Sequence, residues 1–289
     1  MNNEEKERLT KELQGMNVID NFLFSEILTD EIRGKKACRL ILSRVLNREI
    51  GEVEFTPEKV VPGISEKTHG IRMDAYITER AADTENGADN IRIFDVEPDN
   101  KESKKSELPK RSRYYADLID VQLLETSVDY DKLPELVTIF ILSYDPFGAN
   151  ALVYEAGSVL KTHPDRPYDD GIRRIYLYVD GELTKDATED EKKLQALLKY
   201  IGNSTEENVT DETTKELDDI VKKVKAKPGI GVRYMKSWEL EREFMEAGRA
   251  EERQNTEAER KRADAAENRA KAAESRIKEL EAKIEELTS

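Results

Sequence analysis

The sequence predicts a mixed α/β domain followed by a long charged helix, and three observations support this. Short runs rich in β-branched and aromatic residues recur through most of the chain and are typical of strands. Between and after these runs, apolar residues recur every three or four positions, which indicates helices. From residue 237 onward, Ala, Glu, Lys and Arg dominate. We therefore expect a charged N-terminal segment at residues 1–20, an α/β domain at 21–236 and a long helix or coiled coil at 237–289.

The first part of the chain is expected to be helical. Residues 1–15 are highly charged, and we expect them to be frayed. Residues 20–28 contain enough apolar side chains for a short helix or a docking segment. Thr29 and Asp30 can cap a second helix that runs to about residue 47, because its apolar residues fall on one face.

The middle of the chain is expected to form a sheet interrupted by one helix. Pro57 weakens the first strand of this sheet. A polar loop at residues 79–90, which contains Asn86-Gly87, is typical of a hairpin connection. Pro109 suits the first turn of a helix. The expected elements are strands at 53–61, 70–78, 91–99, 135–144, 151–160 and 172–179, and helices at 109–125, 188–201 and 211–227.

Composition narrows the function classes. The formal net charge of −15 disfavours a general nucleic-acid binder, because phosphate contact favours basic surfaces, although a local basic patch remains compatible with it. Cys38 is the one cysteine, so an intrachain disulfide framework is excluded. The N-terminal residues do not resemble a signal peptide, and no apolar run reaches the length of a membrane span. We expect a soluble, cytoplasmic protein without a membrane partner.

The second predicted hairpin strand carries an acidic face. In a strand, alternate side chains share a face, so Phe94 and Val96 point one way. The opposite face carries Asp95, Glu97 and Asp99, and the hairpin brings Asp74 beside it. Carboxylates this close repel one another unless a cation lies between them, and Mg²⁺ takes one or two carboxylates together with waters. The acidic face is therefore either a metal site or a solvated face of an acidic protein.

The helix that begins at Pro109 opens with the strongest basic and aromatic cluster in the chain. Lys110, Arg111 and Arg113 precede or flank two tyrosines in this cluster. One interpretation is phosphate contact next to the acidic strand. The other is a solvated helix end whose tyrosines are half buried.

The last segment contains a heptad pattern. Alternating steps of three and four residues join Ala263, Ala266, Ala270, Ala273, Ile277, Leu280, Ile284 and Leu287. Ile at a and Leu at d favour two parallel strands, whereas alanine buries little surface. We expect a homodimer through residues 263–287, and the alternative is a single helix stabilised by charge pairs along its length.

Several motifs together resemble those of the PD-(D/E)XK nuclease family transposases, also called recombination-promoting nucleases. The resemblance covers about residues 22–248 in the right order, and the order and spacing are more specific than any one motif. The matching motifs are Gly70-Ile71-Arg72-Met73-Asp74, Phe94-Asp95-Val96-Glu97, Arg111-Ser112-Arg113-Tyr114-Tyr115 with Leu118-Ile119-Asp120, Asp145-Pro146-Phe147-Gly148, Asp169-Asp170-Gly171 and Leu198-Lys199-Tyr200. The resemblance implies a restriction-endonuclease-like mixed sheet flanked by helices, and metal-dependent cleavage of DNA.

The resemblance also implies roles for individual residues. Asp74 and Glu97 match the two acidic positions of the family and would hold Mg²⁺ or Mn²⁺. The family usually has Lys or Gln two residues after the second acid, whereas this chain has Asp99. Asp99 would then bind a second metal ion as a third catalytic residue, or the site would be inactive. Arg113 from the neighbouring helix is a further candidate for the missing cation.

These expectations combine into one main functional hypothesis. The chain is expected to be a Mg²⁺- or Mn²⁺-dependent DNA endonuclease in which Lys110, Arg111 and Arg113 contact the DNA backbone, with a role in recombination, mobile elements or defence. The alternative is a catalytically degenerate DNA-binding or scaffold protein that self-associates through its coiled coil.

Overall fold

Six strands and seven α-helices form within the residues that the computed structural model describes, which are 3–63, 68–81, 90–124 and 129–288. The strands are β1 (Glu52–Val61), β2 (Ile71–Ala81), β3 (Asn90–Asp99), β4 (Glu135–Leu142), β5 (Val153–Ala156) and β6 (Ile172–Tyr178). The helices are α1 (Asn3–Gly15), α2 (Asn21–Leu28), α3 (Glu31–Leu46), α4 (Leu108–Leu123), α5 (Glu189–Gly202), α6 (Glu212–Lys225) and α7 (Ile230–Thr288).

All six strands lie in one mixed sheet with the order β1-β2-β3-β4-β6-β5. The first three strands form an antiparallel meander, as short hairpin connections require. β3, β4 and β6 are parallel to one another, and β5 returns antiparallel to β6 at the edge. β3 and β4 are therefore central strands, and this explains why β4 is almost continuously apolar and buried.

Helices cover both faces of the sheet. α2 contacts β1, β2 and β3, and α3 contacts α5 and α6 in the same layer. Capping residues define these helices: the Asp30 side chain accepts the N–H of Arg33 at the start of α3, and Thr188 forms a capping box with Glu191 at the start of α5. The other face is covered by α4, whose Ala116 and Ile119 pack in one cluster with apolar residues of β2, β3 and β4.

These findings confirm a mixed α/β domain with a mixed sheet flanked by helices. Most predicted elements differ from the observed ones by one to three residues at their ends. The strand expected at 151–160 is shorter, because β5 covers only Val153–Ala156. Residues 82–89 of the expected hairpin loop and the end of the expected helix near residue 125 lie outside the described residues.

The N-terminal segment differs from expectation. Instead of a frayed end, α1 is a regular helix, because Leu9 and Leu13 lie four residues apart on one face and are both buried. Lys225 of α6 donates hydrogen bonds to the carbonyl oxygens of Gln14 and Met16, which satisfies the end of α1. The predicted separate segment 1–20 therefore belongs to the first compact unit, which covers residues 1–231.

The second unit covers residues 232–289 and consists of α7, so the boundary lies five residues before the predicted position 237. Its apolar seam residues are exposed: Ile277 by 55% and Leu280 by 47%. Leu287 belongs to the helix, but its side chain lies outside the described part of the chain. Among the described residues, no helix combines the length and apolar character needed to cross a membrane.

A buried ion pair joins α3's C-terminal loop to β2. The carboxylate of Glu79 is almost fully buried, and it accepts hydrogen bonds from both terminal nitrogens of Arg48, at 2.8 and 2.6 Å, and from the N–H of Gly51 at 2.7 Å. The hydrogen bonds from Arg48 lower the pKa of Glu79. This contribution to stability is present above the ordinary pKa of glutamate and is lost as the pH falls through the lowered value.

We expect Glu79→Gln to lower the free energy of unfolding by about 2–3 kcal/mol, because it leaves the Arg48 guanidinium without its buried partner. Urea denaturation of both proteins measures this difference. The matched control is Glu155→Gln, whose partner Arg173 lies in an exposed ion pair, and this change should cost less than about 1 kcal/mol. Equal effects of the two substitutions would contradict the conclusion that the buried pair of Glu79 and Arg48 stabilises the fold more than the exposed pair of Glu155 and Arg173.

Candidate active site

The acidic face predicted for β3 forms between the sheet and α4. Asp95, Glu97 and Asp99 share one face of β3 and are all buried, with exposed fractions of 0%, 6% and 5%. Asp74 of β2 joins them, because its backbone N–H donates a hydrogen bond of 2.7 Å to Glu97 Oε1. We use the name acidic face for these four residues together.

The acidic face lies where β2 and β3 part. The pairing between these two strands runs from Ala81↔Asn90 to Ala75↔Val96. Beyond that pair, β2 continues against β1 as far as Val61↔Ile71, whereas β3 continues against β4 as far as Asp99↔Leu142. The carboxylate of Glu97 takes the place of a strand carbonyl as the acceptor for Asp74. The fork therefore separates two strands that each carry carboxylates.

Asp95 is the most deeply buried member of the acidic face. Among the described residues, neither carboxylate oxygen finds a hydrogen-bond partner unless a proton is shared with the neighbouring Glu97 carboxyl. The hydroxyl of Thr138, directly opposite on β4, is also buried and unpaired. Burial raises the pKa of Asp95 to about 7. Buried polar groups without hydrogen-bond partners are uncommon in folded proteins, and catalytic sites are among the places where they occur.

The pKa values of the two carboxyls predicted to bind metal are also raised. Burial raises the pKa of Asp74 to about 6, although the nearby Arg72 guanidinium works in the opposite direction. Burial, together with the charges of Asp95 and Asp74, raises the pKa of Glu97 well above its ordinary value. The three carboxyls therefore titrate as a coupled group, in which each ionisation disfavours the next.

Asp99 is held differently from the other three acids. Its Oδ1 accepts the N–H of Lys101 at 2.7 Å, and its Oδ2 accepts a hydrogen bond from Arg111 and one from the hydroxyl of Tyr144 at 3.2 Å. Both oxygens are thus satisfied by the protein itself. The prediction that Asp99 binds a second metal ion remains a prediction, and a metal ion would have to displace these donors.

Arg111 is the basic residue that α4 brings into the site. Its guanidinium carbon lies 5.2 Å from the centre of the Phe140 ring, a cation–π distance, and its Nη2 contacts Asp99. A hydrogen bond of 2.8 Å between Ser112 and Tyr176 fixes this turn of α4 on β6. Lys110 and Arg113, predicted with Arg111 as DNA contacts, are exposed on the same helix. Lys101 and Lys104 add exposed positive charge just before α4.

The donor set of the acidic face fits a hard divalent cation. Carboxylate oxygens are the preferred protein ligands of Mg²⁺, and a bound cation would offset the burial that raises the pKa values of Asp74, Asp95 and Glu97. Within the described part of the chain, no three His, Cys, Asp or Glu side chains already converge as a ready-made metal cluster. The fit is to an ion that takes two carboxylates and keeps several waters.

The Asp145-Pro146-Phe147-Gly148 motif has a structural role in the described residues. The Asp145 carboxylate accepts the backbone N–H groups of Phe147, Gly148 and Asn150 and the hydroxyl of Tyr154. Burial of the Asp145 carboxylate raises its pKa, but these hydrogen bonds outweigh burial and lower the pKa to about 2. The motif therefore fixes the loop that follows Tyr144, the residue that donates to Asp99.

Sequence reasoning left three residues of the site without a role. Asp95 was placed on the acidic face only as a neighbour, although its position between two apolar residues on a central strand indicates burial. Tyr144 follows a continuous apolar strand, but no sequence signal links it to Asp99. The pKa of Tyr115 is raised by burial and by the charge of Glu97, which puts its ring beside the acidic face. The tyrosine pair in the basic cluster was the available signal.

Comparisons of the chain with protein-family models, with curated proteins and with solved structures found no match in any of the three. The chemistry of the acidic face therefore has to be inferred from its own geometry.

Proposed function

We propose that this protein is a Mg²⁺- or Mn²⁺-dependent DNA endonuclease whose core is restriction-endonuclease-like. The observation that carries the proposal is the acidic face at the fork of β2 and β3, with Arg111 in contact with it. Support for the fold comes from the mixed sheet flanked by helices, which is the architecture that the motif resemblance implies.

Asp74 and Glu97 would hold the metal ion, because the backbone N–H of Asp74 donates to Glu97 Oε1 at the fork and burial raises the pKa of both carboxyls. When bound, the ion would lower the pKa of its water and neutralise charge on the phosphate. Asp95 shares a face of β3 with Glu97, and its charge acts on Glu97. α4 and the central strands exclude bulk water from this side of the site, which strengthens every electrostatic contact there.

DNA is the proposed substrate because exposed cations flank the acidic face. Lys101, Lys104, Lys110 and Arg113 are exposed before and along the first turns of α4. Phosphate contacts of this kind supply sequence-independent affinity, which falls as the salt concentration rises because binding releases counterions from the DNA. In a chain of net charge −15, this local patch offers a phosphate backbone a favourable approach.

Cleavage of supercoiled plasmid tests the proposal. The purified full chain should convert supercoiled DNA to nicked circles with Mg²⁺ or Mn²⁺, and EDTA should stop the reaction. Protein purified in parallel as Glu97→Gln controls for contaminating nucleases. A wild-type rate that equals the rate of this variant would refute the nuclease.

A second candidate is a non-catalytic DNA-binding or scaffold protein with the same core. The observation that favours it is the saturation of Asp99 by Lys101, Arg111 and Tyr144, which leaves position 99 unable to bind metal without rearrangement. This candidate predicts salt-sensitive DNA binding by the wild type, no cleavage under any metal, and no loss of binding in Glu97→Gln.

Self-association through residues 263–287 is part of the proposal. The exposed Ile277 and Leu280 of α7 follow the heptad pattern, and a second copy of the helix would bury them. Alanine at the earlier seam positions buries little, so the large side chains supply most of the association energy. A dimer would also give a nuclease two active sites for the two DNA strands.

We expect the double variant Ile277→Lys/Leu280→Lys to weaken the dimer at least about a hundredfold, since each buried large side chain contributes roughly 1.5–3 kcal/mol. Sedimentation velocity at several concentrations measures this. The matched control, Ala272→Lys/Ser275→Lys, adds the same charge off the seam and should leave the dimer intact. A wild-type chain that stays monomeric up to tens of micromolar would identify α7 as a single charged helix, because its association free energy would then be weaker than about −6 kcal/mol.

A further inference from the structure

Arg111 differs from the other basic residues at the start of α4. Lys110 and Arg113 are exposed, whereas Arg111 is half buried and contacts the acidic face through Asp99. The Phe140 ring lies against its guanidinium on the sheet side. Arg111 therefore lies against the acidic face, apart from the exposed cations of α4.

Asp99 holds this arginine in place. Its carboxylate receives three donors, from Lys101, Arg111 and Tyr144, and lies on the same strand face as Glu97. Tyr144 is itself fixed by the loop that Asp145 organises. A carboxylate held by three donors restricts the orientation of the arginine bound to it, and the planar guanidinium then has little freedom to rotate.

The guanidinium retains an unused donor. Among the described residues, Arg111 Nε is buried and has no hydrogen-bond acceptor. An unpaired buried donor is costly, and the fork-like edge of a guanidinium matches two oxygens of a phosphate. The charge of Arg111 also acts on Asp74 and Asp95 across the site. The unused donor therefore lies within electrostatic reach of the carboxyls proposed to hold the metal ion.

We infer that Arg111 is a catalytic residue that donates to a non-bridging oxygen of the scissile phosphodiester, and that Asp99 is its positioning residue. This inference rests on the proposed nuclease function. In the step concerned, the oxygen of a water molecule bonds to phosphorus, and the bond from phosphorus to the leaving oxygen breaks with its electron pair. The proton lost by the water is balanced by the proton gained by the leaving oxygen through solvent. Arg111 stabilises the added charge on the phosphoryl oxygens without changing its own protonation.

This assignment changes the roles of two residues. Arg111 becomes more than a contact to the DNA backbone, and Asp99 becomes a holder of the cation instead of a metal ligand. Position 99, where the motif resemblance implies Lys or Gln, then needs no positive charge of its own, because α4 supplies one from the next element.

The first test separates DNA binding from cleavage. Anisotropy of a labelled duplex with Ca²⁺ gives the affinity, and the single-turnover rate at saturating DNA with Mg²⁺ gives catalysis. Arg111→Ala should slow cleavage by about a hundredfold while affinity changes by less than about threefold. Added guanidinium ion should restore part of the rate to Arg111→Ala, because Asp99 can hold the free cation. The control Arg92→Lys alters an arginine on β3 that pairs with Glu135, and it should cleave normally.

Asp99→Asn distinguishes a positioning residue from a metal ligand. We expect about tenfold slower cleavage with an unchanged Mg²⁺ concentration for half-maximal rate, because the arginine is loosened and the metal ligands are intact. A large increase in the required Mg²⁺ concentration would return Asp99 to the metal and overturn its positioning role. Normal cleavage by Arg111→Ala would overturn the catalytic role of Arg111 while the nuclease itself stands.

A readout without catalysis keeps the inference separate from the proposed function. In isotope-labelled full-length protein, the Nε–H resonance of Arg111 is identified by its absence in Arg111→Lys. Inorganic phosphate, added in the presence of Ca²⁺, should shift this resonance, and Glu97→Gln should weaken the shift. If the wild type does not cleave DNA but the resonance shifts, the nuclease fails and the anion-donor role of Arg111 stands. If phosphate leaves the resonance unmoved, the donor role is overturned.

Discussion

Glu97→Gln is expected to lower the rate of plasmid cleavage by about 10³-fold or more, which corresponds to about 4 kcal/mol of lost transition-state stabilisation. Glu97 combines two functions at the fork of β2 and β3. Its carboxylate is one of the two proposed metal ligands, and its Oε1 accepts the N–H of Asp74, the other ligand. Glutamine keeps the size and an acceptor oxygen, so the strand fork should persist while the negative charge is lost.

Two further measurements make this result specific. Thermal unfolding of the wild type should shift upward with Mg²⁺ or Mn²⁺, because an ion that binds only the folded state stabilises it by mass action, by about 2.7 kcal/mol at a hundredfold excess over the dissociation constant. In Glu97→Gln this shift should disappear. Glu135→Gln, which changes a glutamate at the start of β4 paired with Arg92, should keep both cleavage and the metal response. A full metal response in Glu97→Gln would locate the ion elsewhere.

Asp95→Asn should stabilise the metal-free protein by up to about 4 kcal/mol at about pH 8, because burial raises the pKa of Asp95 from about 4 to about 7 and each unit corresponds to about 1.4 kcal/mol of cost for the charged form. Burial raises the pKa of Asp95 to about 7, and its oxygens have no donor among the described residues apart from a proton shared with Glu97. An asparagine amide would instead donate to the Glu97 carboxylate. Few substitutions of a buried acid are expected to stabilise a protein.

The pH dependence follows from the direction of the shift. A carboxyl whose folded pKa is raised binds its proton more tightly in the folded state, so stability falls as the pH rises from the ordinary aspartate range, about 4, to about 7. Urea denaturation of the wild type in EDTA should show this loss, and Asp95→Asn should reduce it. Mg²⁺ should also reduce it in the wild type, since an ion neutralises the acidic face.

Asp145→Asn supplies a control of opposite sign. Hydrogen bonds hold the pKa of Asp145 at about 2, so its carboxylate stabilises the folded state above the ordinary aspartate pKa and loses that effect as the pH falls. Its asparagine variant should therefore be less stable than the wild type at neutral pH. If Asp95→Asn and Asp145→Asn change stability in the same direction, the conclusion that the buried Asp95 carboxylate lacks a hydrogen-bond donor in the described part of the chain is refuted.

Local sequence patterns determined much of this protein. The alternation along β3 predicted that Asp95, Glu97 and Asp99 share a face, because side chains of a strand alternate wherever the strand lies. Asp30 predicted the start of α3 and Pro109 the start of α4, since capping and proline effects depend only on neighbouring backbone groups. The continuous apolar run of β4 is typical of a buried strand. These predictions use interactions that span a few residues.

Only the tertiary structure decided which of these elements meet. The β2–β3 register determines that Asp74 donates to Glu97, and a shift of one residue would turn Asp74 to the other face. The packing of α4 on the sheet determines that Arg111, and not Arg113, reaches Asp99, although both belong to one basic cluster. Burial of Leu9 and Leu13 makes α1 part of the core. Each outcome depends on contacts between residues far apart in the chain, whose energies no local pattern contains.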